Sequence, residues 1–122
     1  MVTAAKRILL VDDSSLIRAS AAQALGTAGF EVTVRAAFDE LLEHGIDGFD
    51  LILMDVQMPE LYGDDVAFTL RGERGVTTPI YLFSSIDESE LAGLAADAGI
   101  DGYIPKSAGL DALVAQVRQI LG

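Results

Sequence analysis

Ile8-Leu9-Leu10-Val11-Asp12-Asp13-Ser14 is the stretch from which the rest of the chain can be read. Four apolar residues in a row are too few for a helix. They also lack the alternation of a strand with one wet face. They therefore read as a strand buried on both sides, which requires cover on both sides. Ser14 or Ser15 then caps a helix. Its apolar positions Ile17, Ala21, Ala24, Leu25 and Ala28 recur at helical spacing, and Gly29 ends it.

The same alternation continues downstream. Val32-Thr33-Val34 is a second, short strand, and Phe38, Leu41 and Leu42 mark a short helix closing at Gly45. Leu51-Ile52-Leu53-Met54 is a third strand, apolar throughout. The segment from Val56 to Gly63 contains Pro59 and reads as a loop, and Val66 and Leu70 sit one turn apart on the helix after it. Pro79 to Phe83 is a fourth strand, with proline where a missing N–H costs least. Asp87 and Glu90 form a capping-box pattern ahead of Leu91, Leu94, Ala95 and Ala98, and Gly99 stops that helix. Gly102-Tyr103-Ile104-Pro105 is the fifth strand, and Leu110, Leu113, Val114, Val117 and Leu121 stripe the last helix. Five strands alternating with five helices predict an α/β fold: a doubly wound five-stranded parallel sheet with right-handed crossovers and helices on both faces.

The composition restricts function. With 122 residues and no internal repeat or linker, the chain reads as one domain over residues 1–122. It has no cysteine, which excludes disulfide scaffolds, zinc ribbons and thiol catalysis. Eight basic against 19 acidic residues give a net charge of −11, which repels nucleic acid and anionic membrane alike. A bound cation, or a basic patch on a partner protein, is favoured instead. No apolar run approaches the roughly 20 residues of a membrane span. The start, Met1 to Arg7, lacks the features of a signal peptide, so a cytoplasmic protein is expected.

In an open parallel sheet, ligands bind beyond the carboxyl ends of the strands. The first strand ends in Asp12-Asp13, the third in Asp55, the fourth in Ser84-Ser85 and the fifth in Pro105-Lys106-Ser107. Taken singly these residues are ordinary. An aspartate after a strand is usually a turn or cap residue, and a lone lysine is usually solvated. Together they form a cluster of three carboxylates against one ammonium, a net of −2. Two like charges about 4 Å apart repel by roughly 4 kcal/mol at an effective dielectric near 20. A divalent cation would neutralise the cluster, and carboxylate oxygens completed by water and phosphate suit Mg²⁺.

These motifs carry a resemblance. The runs Ile8 to Ser14, Asp50 to Pro59 with Gly63, Phe83-Ser84-Ser85 and Gly99 to Lys106 are similar to those of receiver domains of bacterial two-component response regulators, of the chemotaxis-receiver type. The likeness covers essentially the whole chain. It implies the flavodoxin-like strand order 2-1-3-4-5. It implies that Asp55 is the phosphoacceptor, taking a phosphoryl group from a sensor histidine kinase or phosphotransfer protein. By the same resemblance Asp13, Asp55 and the backbone carbonyl of Gln57 ligate Mg²⁺, with Asp12 acting through a water. Lys106 pairs with the phosphoryl oxygens, Ser84 moves to hydrogen-bond them, and the Ser85 N–H donates to another. Tyr103 turns inward when Ser84 moves. Downstream protein targets bind the face made by the fourth predicted helix, the fifth strand and the last helix, with candidates Ala92, Ala95, Tyr103, Pro105, Ala112 and Gln116. The chain departs from the pattern in two places: the switch residue is Ser84 where threonine is commoner, which keeps the hydroxyl, and Ser107 stands where proline, often after a cis bond, usually follows the lysine. A non-proline cis bond costs about 2.5–4 kcal/mol, so Lys106–Ser107 is expected to be trans.

Two other readings use the same chemistry. A small Mg²⁺-dependent phosphatase with an aspartyl nucleophile would show Asp-x-Asp at the first strand, whereas Ser14-Ser15 follow Asp13. A flavin-binding relative would present Gly, Ser and Thr donors in the first loop, which here is acidic. The sole histidine, His44, reads as solvated, and the Asp64-Asp65 pair as a helix start. The expectation is a phosphorylation-dependent switch rather than an enzyme. The resemblance implies that receivers which dimerise through the fourth-helix face do so by ion pairs with a lysine there; the fourth predicted helix carries none, so a monomer is expected.

Overall fold

The computed structural model describes residues 5–36, 48–56 and 77–122. Within them lie five strands: β1 (Arg7–Val11), β2 (Glu31–Arg35), β3 (Leu51–Met54), β4 (Ile80–Ser84) and β5 (Gly102–Pro105). Three helices accompany them: α1 (Ser15–Thr27), α2 (Glu88–Ala98) and α3 (Leu110–Leu121), with a 3₁₀ turn at Lys106–Ala108. All strand pairs are parallel, in the order β2-β1-β3-β4-β5. The helices expected around Phe38–Leu42 and Val66–Leu70 lie outside the described residues, as do Gln57, Pro59, Gly63, His44, Asp64 and Asp65.

Strand alternation divides the core in two. Leu9, Val11, Ile52, Met54, Ile80 and Leu82 face one way and meet Leu91 and Ala95 of α2. Ile8, Leu10, Leu51, Leu53, Phe83 and Ile104 face the other and meet Ala21 and Leu25 of α1 and Leu113 and Val117 of α3. The central strand β3 is buried at every residue, which is why its sequence shows no alternation.

Polar side chains set the strand entrances. The Arg7 N–H donates to Asp50 Oδ2 at 2.8 Å, and the Ile80 N–H to Asp101 Oδ2 at 2.9 Å. Strand β4 begins after Pro79, whose carbonyl still accepts from the Ile52 N–H at 2.9 Å, and it runs one residue past Phe83, so that Ser84 pairs with Pro105. Proline is tolerated there because β5 is an edge strand. Gly102 permits a close approach: a Cβ at this position would lie 2.8 Å from the Tyr81 ring.

Ser14 caps α1, its hydroxyl accepting from the Ile17 N–H at 3.3 Å. Gly99 ends α2 in the left-handed conformation, at φ 69°. Two expectations change. Ala95, which the resemblance put on an outward partner face, is core, in keeping with its place on the apolar stripe of Leu91, Leu94 and Ala98. Leu110, read as part of the last helix's core stripe, is exposed at the helix start, where the chain has only just left the 3₁₀ turn.

Candidate functional site

The hydrogen-bond ladder continues one residue beyond the strands and fixes two of the carboxylates. The Asp12 N–H donates to the Arg35 carbonyl at 3.0 Å, and the Asp55 N–H to the Val11 carbonyl at 2.9 Å. Both residues are buried, at 0% and 4% exposure, whereas Asp13 is exposed. The three present carboxylate oxygens that all lie within 4.8 Å of one another.

Lys106 arrives from the end of β5. Its ammonium lies 2.7 Å from Asp12 Oδ2 and 3.6 Å from Asp55 Oδ1, with its side chain 14% exposed. The lysine, read singly as a solvated residue, is an internal counter-ion. The Lys106–Ser107 peptide is trans, as expected. Asp12 combines the bland reading and the sharp one. Its Oδ1 accepts from the Ser14 N–H at 2.9 Å, closing the turn into α1. Its Oδ2 is buried and accepts no well-formed hydrogen bond, so charge alone couples it to Lys106.

An open cleft of about 620 Å³ lies over this cluster, lined by Asp12, Asp13, Asp55, Ser85, Lys106 and Ser107. A hollow of similar size, about 630 Å³, lies between α1 and α3 but contains none of these groups. The chemistry, not the volume, identifies the site. Ser85 reaches the cleft. Ser84 does not line it: the residue is buried, and its Oγ accepts from the Ile86 N–H at 3.3 Å. Tyr103 is half-buried against the α2 side of the core, with its hydroxyl 3.5 Å from Glu88 Oε1. The structure therefore brings together Asp12, Asp13, Asp55, Ser85 and Lys106, leaves Ser84 and Tyr103 behind the cleft, and leaves Gln57 undescribed.

Two neighbours were not anticipated. The Arg18 guanidinium donates to the Asp12 carbonyl at 2.8 Å, and the Lys106 ammonium stands over the Phe83 ring, 5.3 Å from its centroid. Arg18 sits one turn beyond the cap residue Ser14, a spacing that the sequence does display. The Phe83 contact depends on the register that pairs Phe83 with Ile104, which no local pattern reveals.

The family model of the response regulator receiver domain matches residues 8–118. The chain belongs to this family. Receivers are phosphorylation-based signalling switches rather than enzymes that turn over a substrate. Response regulator MprA of Mycobacterium tuberculosis is 36% identical over 94% of this receiver and 50% of its own length. The chain thus spans about half the length of the curated relatives it matches. Among solved structures, chemotaxis response regulator CheY4 of Vibrio cholerae superposes with a TM-score of 0.84 at 28% identity, covering 97% of this receiver and 100% of that chain. Response regulator TrrA of Thermotoga maritima, solved in complex with Mg²⁺ and beryllium fluoride, gives 0.80 at 30% identity, over 95% and 99%. Among the described residues, no helix is long and apolar enough to cross a membrane.

Proposed function

We propose that this receiver, as one domain over residues 1–122, accepts a phosphoryl group on Asp55 from a histidine kinase or phosphotransfer protein. In response it changes the surface it presents to a downstream protein, acting in the cytoplasm. The observation that carries the reading is the Lys106 ammonium held 2.7 Å from Asp12 and 3.6 Å from Asp55, over the carboxyl ends of the strands.

The donor set fits a hard divalent cation. Three carboxylate oxygens converge, and the buried Asp12 Oδ2 lacks a well-formed hydrogen bond. Asp13, Asp55 and the Gln57 carbonyl would hold Mg²⁺ directly, and Asp12 through a water. Bound there, the ion supplies charge neutralisation for phosphoryl oxygens. The TrrA complex with Mg²⁺ and beryllium fluoride supports this assignment. The protein's own groups do the rest by positioning. An Asp55 oxygen attacks the phosphorus of a phosphohistidine. The phosphorus–nitrogen bond breaks, and the imidazole nitrogen leaves with the electron pair. Lys106 exchanges its Asp12 contact for a phosphoryl oxygen, and the Ser85 N–H donates to another. The Ser84 hydroxyl leaves the Ile86 N–H to do the same, and Tyr103 follows it inward.

The test is intact-mass analysis after exposure to acetyl phosphate and Mg²⁺. One phosphoryl group is expected on the parent and none on Asp55→Asn. Undiminished labelling of that variant would overturn the assignment. Sustained release of phosphate from an added phosphomonoester would favour a phosphatase instead.

A further inference from the structure

We infer that Phe83 is a positioning residue for Lys106, its ring face steering the ammonium between Asp12 and the phosphoryl group on Asp55. The inference rests on the function proposed above. The Phe83 ring is 3% exposed and fixed on the α1–α3 side of the sheet among Leu10, Ile104 and Leu113. The ammonium stands 5.3 Å from its centroid, within the range over which the negative face of an aromatic ring attracts a cation.

Lys106 has little other support from its own segment. It opens a three-residue 3₁₀ turn in which Ser107 and Ala108 are exposed, and Gly109 follows. Ser107 stands where the resemblance leads one to expect proline, so backbone stiffness on that side is lost. The ring supplies the support from beneath. A ring face also suits the task better than a hydrogen-bond partner would. Its attraction is weakly directional, so the ammonium can slide from Asp12 at 2.7 Å towards a group growing on Asp55, now at 3.6 Å, without breaking a bond to its support. Strand alternation sends Phe83 and Ser84 to opposite faces. Changing the ring therefore leaves the Ser84–Ile86 hydrogen bond in place.

The test replaces Phe83 in two ways. Phe83→Leu removes the ring, and 3,4,5-trifluorophenylalanine at position 83 keeps its shape while withdrawing its negative face. Two quantities are read: the side-chain NMR shifts of Lys106 in the unmodified protein, and the initial rate of acetyl-phosphate labelling at saturating Mg²⁺. The parent should show upfield, ring-shifted Lys106 Hε resonances, and Phe83→Leu should lose them. The labelling rate should fall about three- to tenfold in both variants, the range such a contact commands. Mg²⁺ affinity should stay within about twofold of the parent, because the ring touches no metal ligand. Parental Lys106 shifts without a ring contribution, or a trifluorinated protein labelled at the parental rate, would overturn the role. The NMR reading is independent of phosphorylation. A parent that shows the ring shift yet takes no phosphoryl group on Asp55 would refute the proposed function rather than the contact.

Discussion

Asp12 divides its carboxylate between structure and chemistry, and the division has measurable consequences. One oxygen closes the turn into α1, and the other faces Lys106. Removing the lysine takes an ammonium away from two buried carboxylates and the third beside them. Lys106→Ala should therefore lower the stability of the metal-free protein by about 1–3 kcal/mol, the scale of losing a charged partner. Millimolar Mg²⁺ should return part of that loss, since the ion supplies the missing positive charge. Asp13 is exposed and has no such structural duty. Asp13→Ala should leave the metal-free protein at least as stable as the parent while shrinking its Mg²⁺-induced rise in Tm. Thermal melts with and without Mg²⁺ check both variants. A parent indifferent to Mg²⁺ would count against a cation site.

Helix α2 is the element with the most readable control of its own. Asp87 caps it by accepting from the Ser89 N–H at 3.2 Å and from the Ser89 hydroxyl. The Ser89 hydroxyl first, then the Glu90 N–H, hold the Asp87 carboxyl below its ordinary value. A depressed value means that the native state favours the carboxylate. The contribution is complete above the unfolded value, near pH 4, and is lost as the pH falls through the lower native one. Asp87→Asn keeps an acceptor oxygen without the charge. It should melt below the parent at pH 7 by a margin that narrows at pH 3. A gap of constant size in melts at the two values would show that the charge is not what caps the helix. The same helix shows how burial sorts equivalent residues. Ala95 is packed against the sheet, whereas Ala92 is only half-buried and remains available to a partner.

The distribution of charge over the molecule bears on assembly. The net charge is −11, and α2 carries Glu88, Glu90 and Asp97 with no basic residue. The residues expected with it on the partner face, Tyr103, Pro105, Ala112 and Gln116, are half-buried and uncharged. Two copies meeting symmetrically through this face would bring acid against acid. Like charges in contact cost more than the small apolar side chains return. A monomer is expected in sedimentation, both as isolated and with beryllium fluoride. A stable dimer in both states would show that the face pairs by some other arrangement. A partner presenting basic residues would suit it instead.

The sequence by itself determined the five strands, the two-sided burial of the sheet and the strand ends that carry acids, serines and lysine. Each of these is written locally. An apolar tetrapeptide, a capping serine and a stopping glycine depend on neighbours a few residues away, and such patterns survive in one dimension. Tertiary structure alone decided which groups meet. Lys106 could be told from a solvated lysine only once β5 delivered it to 2.7 Å from Asp12, an aspartate 94 positions away along the chain. Ser84 was legible as a hydroxyl at a strand end, but not as one turned away from the cleft. Phe83 read simply as core until register put its ring beneath the ammonium. Leu110 left its expected place because periodicity gives a helix a face but does not say where along the helix the sheet ends. Those facts depend on pairings between strands distant in sequence, and long-range pairing leaves no local trace.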